Sequence, residues 1–201
     1  MKIWEFVITG GPCAGKTTAI KIIEENLINK GFKVIVVAET ATELISSGIC
    51  PWELEEEVFQ SILISRVFNK TETTRKAAKY MKKDTVIIYD RAILDAKAYM
   101  QADIFEKELK KYNTDERTVL EKYDGVFHLV TAANGAEKYY TLSNNKARKE
   151  TLEEARSLDK ITMDSWKRHK NFKIIDNSTD FENKINRLLK EIYVSIGIKC
   201  N

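Results

Sequence analysis

The sequence predicts an α/β fold built on a five-stranded parallel sheet with helices on both faces. Three observations carry that prediction. Five short apolar runs rich in Val and Ile recur along the chain, helical periodicity fills the gaps, and Gly or hydroxyl-bearing residues mark the junctions. Strands that alternate with helices pair in parallel through right-handed crossovers, which puts helices on both sheet faces.

The first strand is IWEFVIT (3–9), followed by an amphipathic helix over 16–29 with Ile20, Ile23 and Leu27 on one stripe. The second strand is KVIVVA (33–38), and apolar positions 58, 59, 62, 63 and 67 then form a broad helical stripe. TVIIYD (85–90), GVFHLV (125–130) and FKIID (172–176) complete the strands. Continuous apolar runs of this length predict strands buried on both faces. Thr151-Leu-Glu-Glu154 and Thr179-Asp-Phe-Glu182 have the form of a capping box, predicting helix starts at both places. A long stripe through Phe181, Ile185, Leu188, Leu189, Ile192 and Ile196 predicts the last helix. The charged stretch 134–160 has no strand candidate and reads as a helical insertion or lid between the fourth and fifth strands.

Composition bounds the class. At 201 residues the chain has the size of one domain, and with no linker or internal repeat it reads as a single domain over 1–201. Thirty-three Lys and Arg face 30 Asp and Glu, an intermixed balance that gives no argument for nucleic acid or an anionic membrane as partner. Cys13, Cys50 and Cys200 form no CxxC pair and His128 and His169 are far apart, so neither a disulfide framework nor a structural zinc site is expected. No signal-peptide or membrane-spanning run is read, so the expected location is the cytoplasm.

The strongest motif is Gly10-Gly11-Pro12-Cys13-Ala14-Gly15-Lys16-Thr17, a complete G-x-x-x-x-G-K-[ST], with Thr18 following. Successive backbone N–H groups of such a loop curl around a phosphate, and the helix that follows adds its partial positive charge. Lys16 reaches the β- and γ-phosphates and the Thr17 hydroxyl binds Mg²⁺. Three of the eight glycines fall within the six positions 10–15, which turn-making alone does not explain. The fold expectation thereby becomes a P-loop NTPase.

The strand tips select among P-loop chemistries. No Asn-Lys-x-Asp guanine reader is present: Asn69-Lys-Thr-Glu72 and Asn183-Lys-Ile-Asn186 lack the final Asp. Arg91 stands after the strand-end Asp90, where a ring-forming ATPase places a water-polarising Glu. A cation in place of a base argues against water as the acceptor. Ligands of open α/β sheets bind at the carboxyl ends of the strands, where Glu39, Asp90 and Arg91 fall.

Asp90 is the Walker-B candidate for Mg²⁺, or else a turn residue. Glu39 accepts a proton from, or holds, an acceptor hydroxyl, or else belongs to the helix start led by Thr40. Arg91 braces the acceptor or the moving phosphoryl group, or else forms a structural ion pair. Arg148 and Arg156 flank the capped start Thr151–Glu154 as charge-stabilising lid residues, with a solvated charged helix as the alternative. Gln60 is an amide suited to a base or amide edge, or else a surface residue. The Asp176–Thr179 loop, with Asn177, lies where a nucleobase sits in this fold class. His128 reads as a packed core residue, His169 as a surface residue, and Cys13 as small rather than reactive.

GGPCAGKTT, VVAETATELI, YDRAILDAKAYM and HLVTAANGAEKYYTL together resemble a family of small P-loop domains labelled AAA-like ATP-binding. That family includes the ribosylnicotinamide kinase part of a bifunctional bacterial NAD-salvage protein and the N-terminal domain of an animal GTP-binding, CYTH-like protein; no CYTH-type region is read here. A looser similarity to deoxynucleoside kinases implies substrate contacts at Glu39, Gln60, Arg66 and Arg91, and lid arginines at Arg148 and Arg156. Asp-Arg-Ala stands where those enzymes carry Glu-Arg-Ser, so nucleoside specificity does not transfer.

The function expected is transfer of the γ-phosphoryl of Mg·ATP to a small nucleoside-like hydroxyl by a nucleoside/nucleotide-kinase-like domain. Mg²⁺ is the cofactor, the choice of ATP over GTP stays open, and a homodimer is one open assembly. The alternative is a regulatory ATP- or GTP-binding module with slow hydrolysis that acts through a protein partner.

Overall fold

The computed structural model describes residues 1–140 and 150–198. Five strands, β1 (Ile3–Thr9), β2 (Lys33–Val37), β3 (Thr85–Asp90), β4 (Gly125–Leu129) and β5 (Phe172–Ile175), form one sheet in the order β2-β3-β1-β4-β5. Every neighbouring pair is parallel, as the alternation predicts. The helices are α1 (Lys16–Asn29), α2 (Thr40–Ser46), α3 (Glu56–Ala78), α4 (Ala102–Lys111), α5 (Glu116–Glu121), α6 (Leu152–Trp166) and α7 (Phe181–Ile196). A 3₁₀ turn over Ile93–Ala98 follows β3.

The period-two alternation of strand side chains divides the core into two layers. Val7, Ile87, Tyr89 and Val126 pack with Ile64 and Phe68 of α3, Phe105 and Leu109 of α4, and Trp166 of α6. Phe6, Ile8, Val86, Ile88, Phe127 and Leu129 pack with Ile20, Ile23 and Leu27 of α1 and with Ile185, Leu188 and Ile192 of α7. Burial on both faces holds for the central strands β3 and β4. At the edges it fails: Lys33 in β2 is exposed, as are Lys173 and Ile174 in β5. An edge strand has a neighbouring strand on one side only, so its residues are less completely covered.

Helix starts follow the capping chemistry with one correction. Thr151 and Glu154 form the reciprocal box that opens α6. At α7 the cap is Asp180, whose carboxylate accepts from the Asn183 N–H at 2.8 Å, and not Thr179. A carboxylate one residue closer to the helix reaches the free N–H that the hydroxyl was expected to take. Residues 152–160 of the segment read as a lid begin α6, a helix that buries one side through Ala155, Asp159, Thr162 and Trp166 and leaves Leu152, Glu153, Glu154, Arg156 and Ser157 exposed. No helix among the described residues is long and apolar enough to cross a membrane.

The register aligns the carboxyl ends of the strands. Ile8 pairs with Asp90, Val37 with Tyr89 and Thr9 with His128, which brings the β1–α1 loop, the β2 end and the β3 end to one edge.

Candidate active site

The β1–α1 loop is set by its backbone. Gly10 has φ +139°, and a Cβ there would lie 2.0 Å from the Leu129 carbonyl oxygen. A Cβ on Gly11 would sit 2.8 Å from Asp159, the carboxylate that accepts the Gly11 N–H at 2.7 Å. Cys13 also adopts a left-handed conformation, at φ +56°. α1 has neither a side-chain cap nor an acidic residue in its first turn, the setting in which a helix N-terminus takes an anion. The buried Lys16 bends back to donate to the carbonyls of Gly10 (3.1 Å) and Gly11 (3.0 Å). Pro12 accepts a hydrogen bond from the Thr131 hydroxyl, which anchors the outside of the loop to the β4 end.

Beside this loop lies a cavity of about 270 Å³, lined by Pro12, Glu39, Asp90, Arg91 and Asp95 at its polar end. Its wall includes Phe59, Gln60, Leu63 and Val67 of α3, together with Tyr99 and Glu150. The fold thus brings Glu39, Gln60, Asp90 and Arg91 together next to the loop. Arg91 has φ +64°, a left-handed conformation costly for a non-glycine residue. Its Nε donates to Glu39 Oε1 at 2.8 Å and its Nη1 to Asp95 Oδ1 at 3.1 Å. The Thr42 hydroxyl donates to Glu39 Oε2 at 2.6 Å. Gln60 is 6% exposed and its Oε1 has no hydrogen-bond partner, so the surface alternative is overturned and an acceptor faces the cavity wall unpaired.

Charge separates the two carboxylates at the strand tips. Burial works against ionised Glu39, yet Arg91, Lys16 and the Thr42 hydroxyl hold it down to about 2. Burial dominates at Asp90 and, with Lys16 opposing and Glu39 adding repulsion, raises it to about 6. Asp90 Oδ1 is buried and lacks a hydrogen-bond partner, while Thr17 stands exposed in the first turn of α1. One carboxylate and one hydroxyl fit a Mg²⁺ ion held chiefly by nucleotide phosphates and water. No cluster of three or more His, Cys, Asp or Glu side chains suited to a metal occurs among the described residues.

A test follows from the unpaired Asp90 carboxylate. Asp90→Asn removes a buried charge, and is expected to raise the melting temperature of the nucleotide-free protein at pH 7 by ~2–5 °C. Because Asp90 binds its proton more tightly folded than unfolded, that gain should hold above pH 6 and shrink as pH falls from about 6 toward 3.8. The same variant should weaken Mg²⁺-dependent nucleotide binding about tenfold or more. Scanning calorimetry and titration calorimetry read the two effects separately.

Other expected residues lie elsewhere. Arg66 is exposed and outside the cavity, because six residues turn a helix about 120° away from Gln60. Arg156 donates from Nε to the Ala133 carbonyl at 2.6 Å and from Nη2 to Glu137 at 3.1 Å, and it does not line the cavity. Arg148 falls outside the described residues. The Asn177 amide donates to the carbonyls of Thr131 (2.8 Å) and Asn134 (2.7 Å), so its side chain ties two loops together. Thr18 is exposed beside Thr17. His128 is fully buried in β4, as expected. His169 is not a surface residue: it is 5% exposed, with Nε2 2.9 Å from the Tyr123 carbonyl.

Three buried charges beside the loop and cavity were missed. Asp95 lies four residues after Arg91, a helical spacing that could have flagged the pair. Lys184 interrupts the apolar stripe of α7, and its Nζ reaches the Val130 carbonyl (2.8 Å) and Asn177 Oδ1 (2.7 Å). Burial lowers Lys184 to about 8, with Asp159 opposing. Asp159 carries no local signal, since its partners Gly11 and Thr131 are remote in sequence.

This sheet order, glycine loop and strand-tip cavity define a P-loop domain of the nucleoside-kinase-like kind. A family model described as an AAA domain matches residues 5–184, and the chain belongs to that family. Among solved structures it is similar to a deoxyadenosine kinase from M. mycoides with bound dATP. The identity is 18% with a TM-score of 0.62, and the match covers 94% of this chain and 98% of that one. At that identity the likeness speaks to the fold. No curated protein sequence matches significantly.

Proposed function

We propose that this chain is a phosphotransferase that moves the γ-phosphoryl of Mg·ATP to a hydroxyl of a small nucleoside-like acceptor seated in the strand-tip cavity. The observation that carries the reading is the cavity itself. It joins the phosphate loop, at Pro12, to an apolar wall and a Glu39–Arg91 pair. A hydrolase needs an open path for water, whereas a transferase needs a place for an organic acceptor beside the phosphate loop. The deoxyadenosine kinase with the same fold supports the acceptor class.

In this reading the loop amides and Lys16 hold the triphosphate. Thr17 and Asp90 would hold Mg²⁺, which supplies charge neutralisation on the phosphates when bound. Glu39, ionised throughout the neutral range, orients the acceptor hydroxyl rather than serving as a base tuned near pH 7. A loose phosphoryl-transfer transition state asks more of positioning than of proton abstraction. Arg91 stabilises charge on the transferring group, and Gln60 receives a donor from the far end of the acceptor.

A panel of unmodified nucleosides and ribosyl compounds, each offered with labelled ATP and with labelled GTP, tests the proposal. Transfer to at least one of them at a rate about a hundredfold above hydrolysis is the expected result. Hydrolysis alone, with nucleotide-dependent capture of a protein partner, would instead establish the regulatory module.

A further inference from the structure

We infer that Asp95 is a positioning residue that locks the Arg91 guanidinium against Glu39, an inference that rests on the role proposed for Arg91. Asp95 is 4% exposed and lines the polar end of the cavity, yet it has no capacity left for a ligand. Its Oδ1 accepts from the Thr9 hydroxyl and from Arg91 Nη1, and its Oδ2 from the Ala92 N–H (2.9 Å) and from Trp166 Nε1 (3.1 Å). A carboxylate has about four acceptor positions, and all are filled here.

The four donors come from three places that must keep a fixed relation. Thr9 ends β1 immediately before the phosphate loop. Ala92 and Arg91 follow β3, and Trp166 ends α6. Asp95 therefore ties the strand that leads into the loop to the residue that faces the acceptor.

Arg91 needs such a tie. Its backbone is left-handed, and the side chain is long and rich in rotamers. Glu39 on one side and Asp95 on the other hold two of its nitrogens, which fixes the plane of the guanidinium. Glu39 alone, paired through Nε, leaves the end of the fork free to swing. A misplacement of about 1 Å costs about a hundredfold in a reaction that depends on alignment.

The test uses the whole chain, with Asp95→Asn as the main variant. Asn keeps the shape but turns one acceptor into a donor facing the Ala92 and Trp166 N–H groups or the Thr9 and Arg91 donors. Thermal unfolding establishes that the variant is folded. In the nucleotide-free protein the Arg91 Nη1–H resonance, assigned by its loss in Arg91→Lys, should be sharp and slow to exchange in the wild type. It should broaden or vanish in folded Asp95→Asn while the other arginine resonances persist.

With the nucleoside found by the acceptor panel, kcat should fall about 10- to 100-fold with KM for Mg·ATP within about twofold. A merely structural role would lower the active fraction without selectively mobilising Arg91. If Asp95→Asn does not fold, Thr9→Val, which deletes one donor to the shared Oδ1, should give the same spectral change in weaker form. An Arg91 resonance unchanged in a folded variant would overturn the inference. If the wild type phosphorylates no acceptor the functional reading fails, and the resonance still decides whether Asp95 holds Arg91.

Discussion

Lys16→Ala is expected to cut phosphoryl transfer about a hundred- to a thousandfold while leaving the fold intact. Lys16 is the one cation the loop presents at the phosphates, and charge on the transferred group grows toward the transition state. In the nucleotide-free protein its ammonium is satisfied by the Gly10 and Gly11 carbonyls. Losing these bonds should cost about 1 kcal/mol, small against the stability of a domain. There is a second effect. Lys16 lowers the pKa of both Glu39 and Asp90, so its removal lets the Asp90 proton bind more tightly. The Mg²⁺ dependence should therefore steepen between pH 6 and pH 7 in the variant, in the range where Asp90 then titrates. Single-turnover transfer with labelled nucleotide reads the chemistry, and circular dichroism reads the fold. Undiminished turnover would remove the basis of the phosphate site.

Glu39→Gln should lower kcat about 30- to 100-fold with little change in KM for Mg·ATP, since Glu39 acts on the acceptor side. The amide keeps the size of the side chain and can still accept from Arg91, so the loss isolates the charge. Because Glu39 is held at about 2, the wild-type pH–rate profile should show no limb from this residue between pH 5 and 8. An acidic limb that disappears in Glu39→Gln would make it a base and correct the orienting role. Stability follows the same shift with a definite sign. The folded pKa lies below the ordinary 4.5, so Glu39 contributes stability above pH 4.5 and loses it progressively as pH falls toward 2. Melting curves of wild type and variant should therefore converge as the solution is acidified.

Much of the fold was legible because its signals are local. Each strand run and helix stripe reports its own environment through periodicity, and the strand starts at 3, 33, 85, 125 and 172 coincide with those read from the sequence. The loop was legible for a related reason: its chemistry is carried by backbone N–H groups of contiguous residues, so spacing alone specifies it. The candidate cavity was only half legible. Glu39 and Asp90 could be placed at strand ends, but Gln60 could be assigned only by whether α3 turns it inward, and resemblance placed Arg66 on a face that the helix rotates away.

By itself, then, the amino-acid order determined the α/β class, five strands, the α1 phosphate loop and the acidic strand tips. Strand order, and with it the meeting of Arg91, Glu39 and Asp95, was decided only when the chain packed. So were the burial of Lys184, the cap at Asp180 and the reach of Asp159 to Gly11. The physical reason is range. Hydrogen bonds and ion pairs act over a few ångströms, and residues 86 and 148 positions apart come within that distance only after sheet and helices dock.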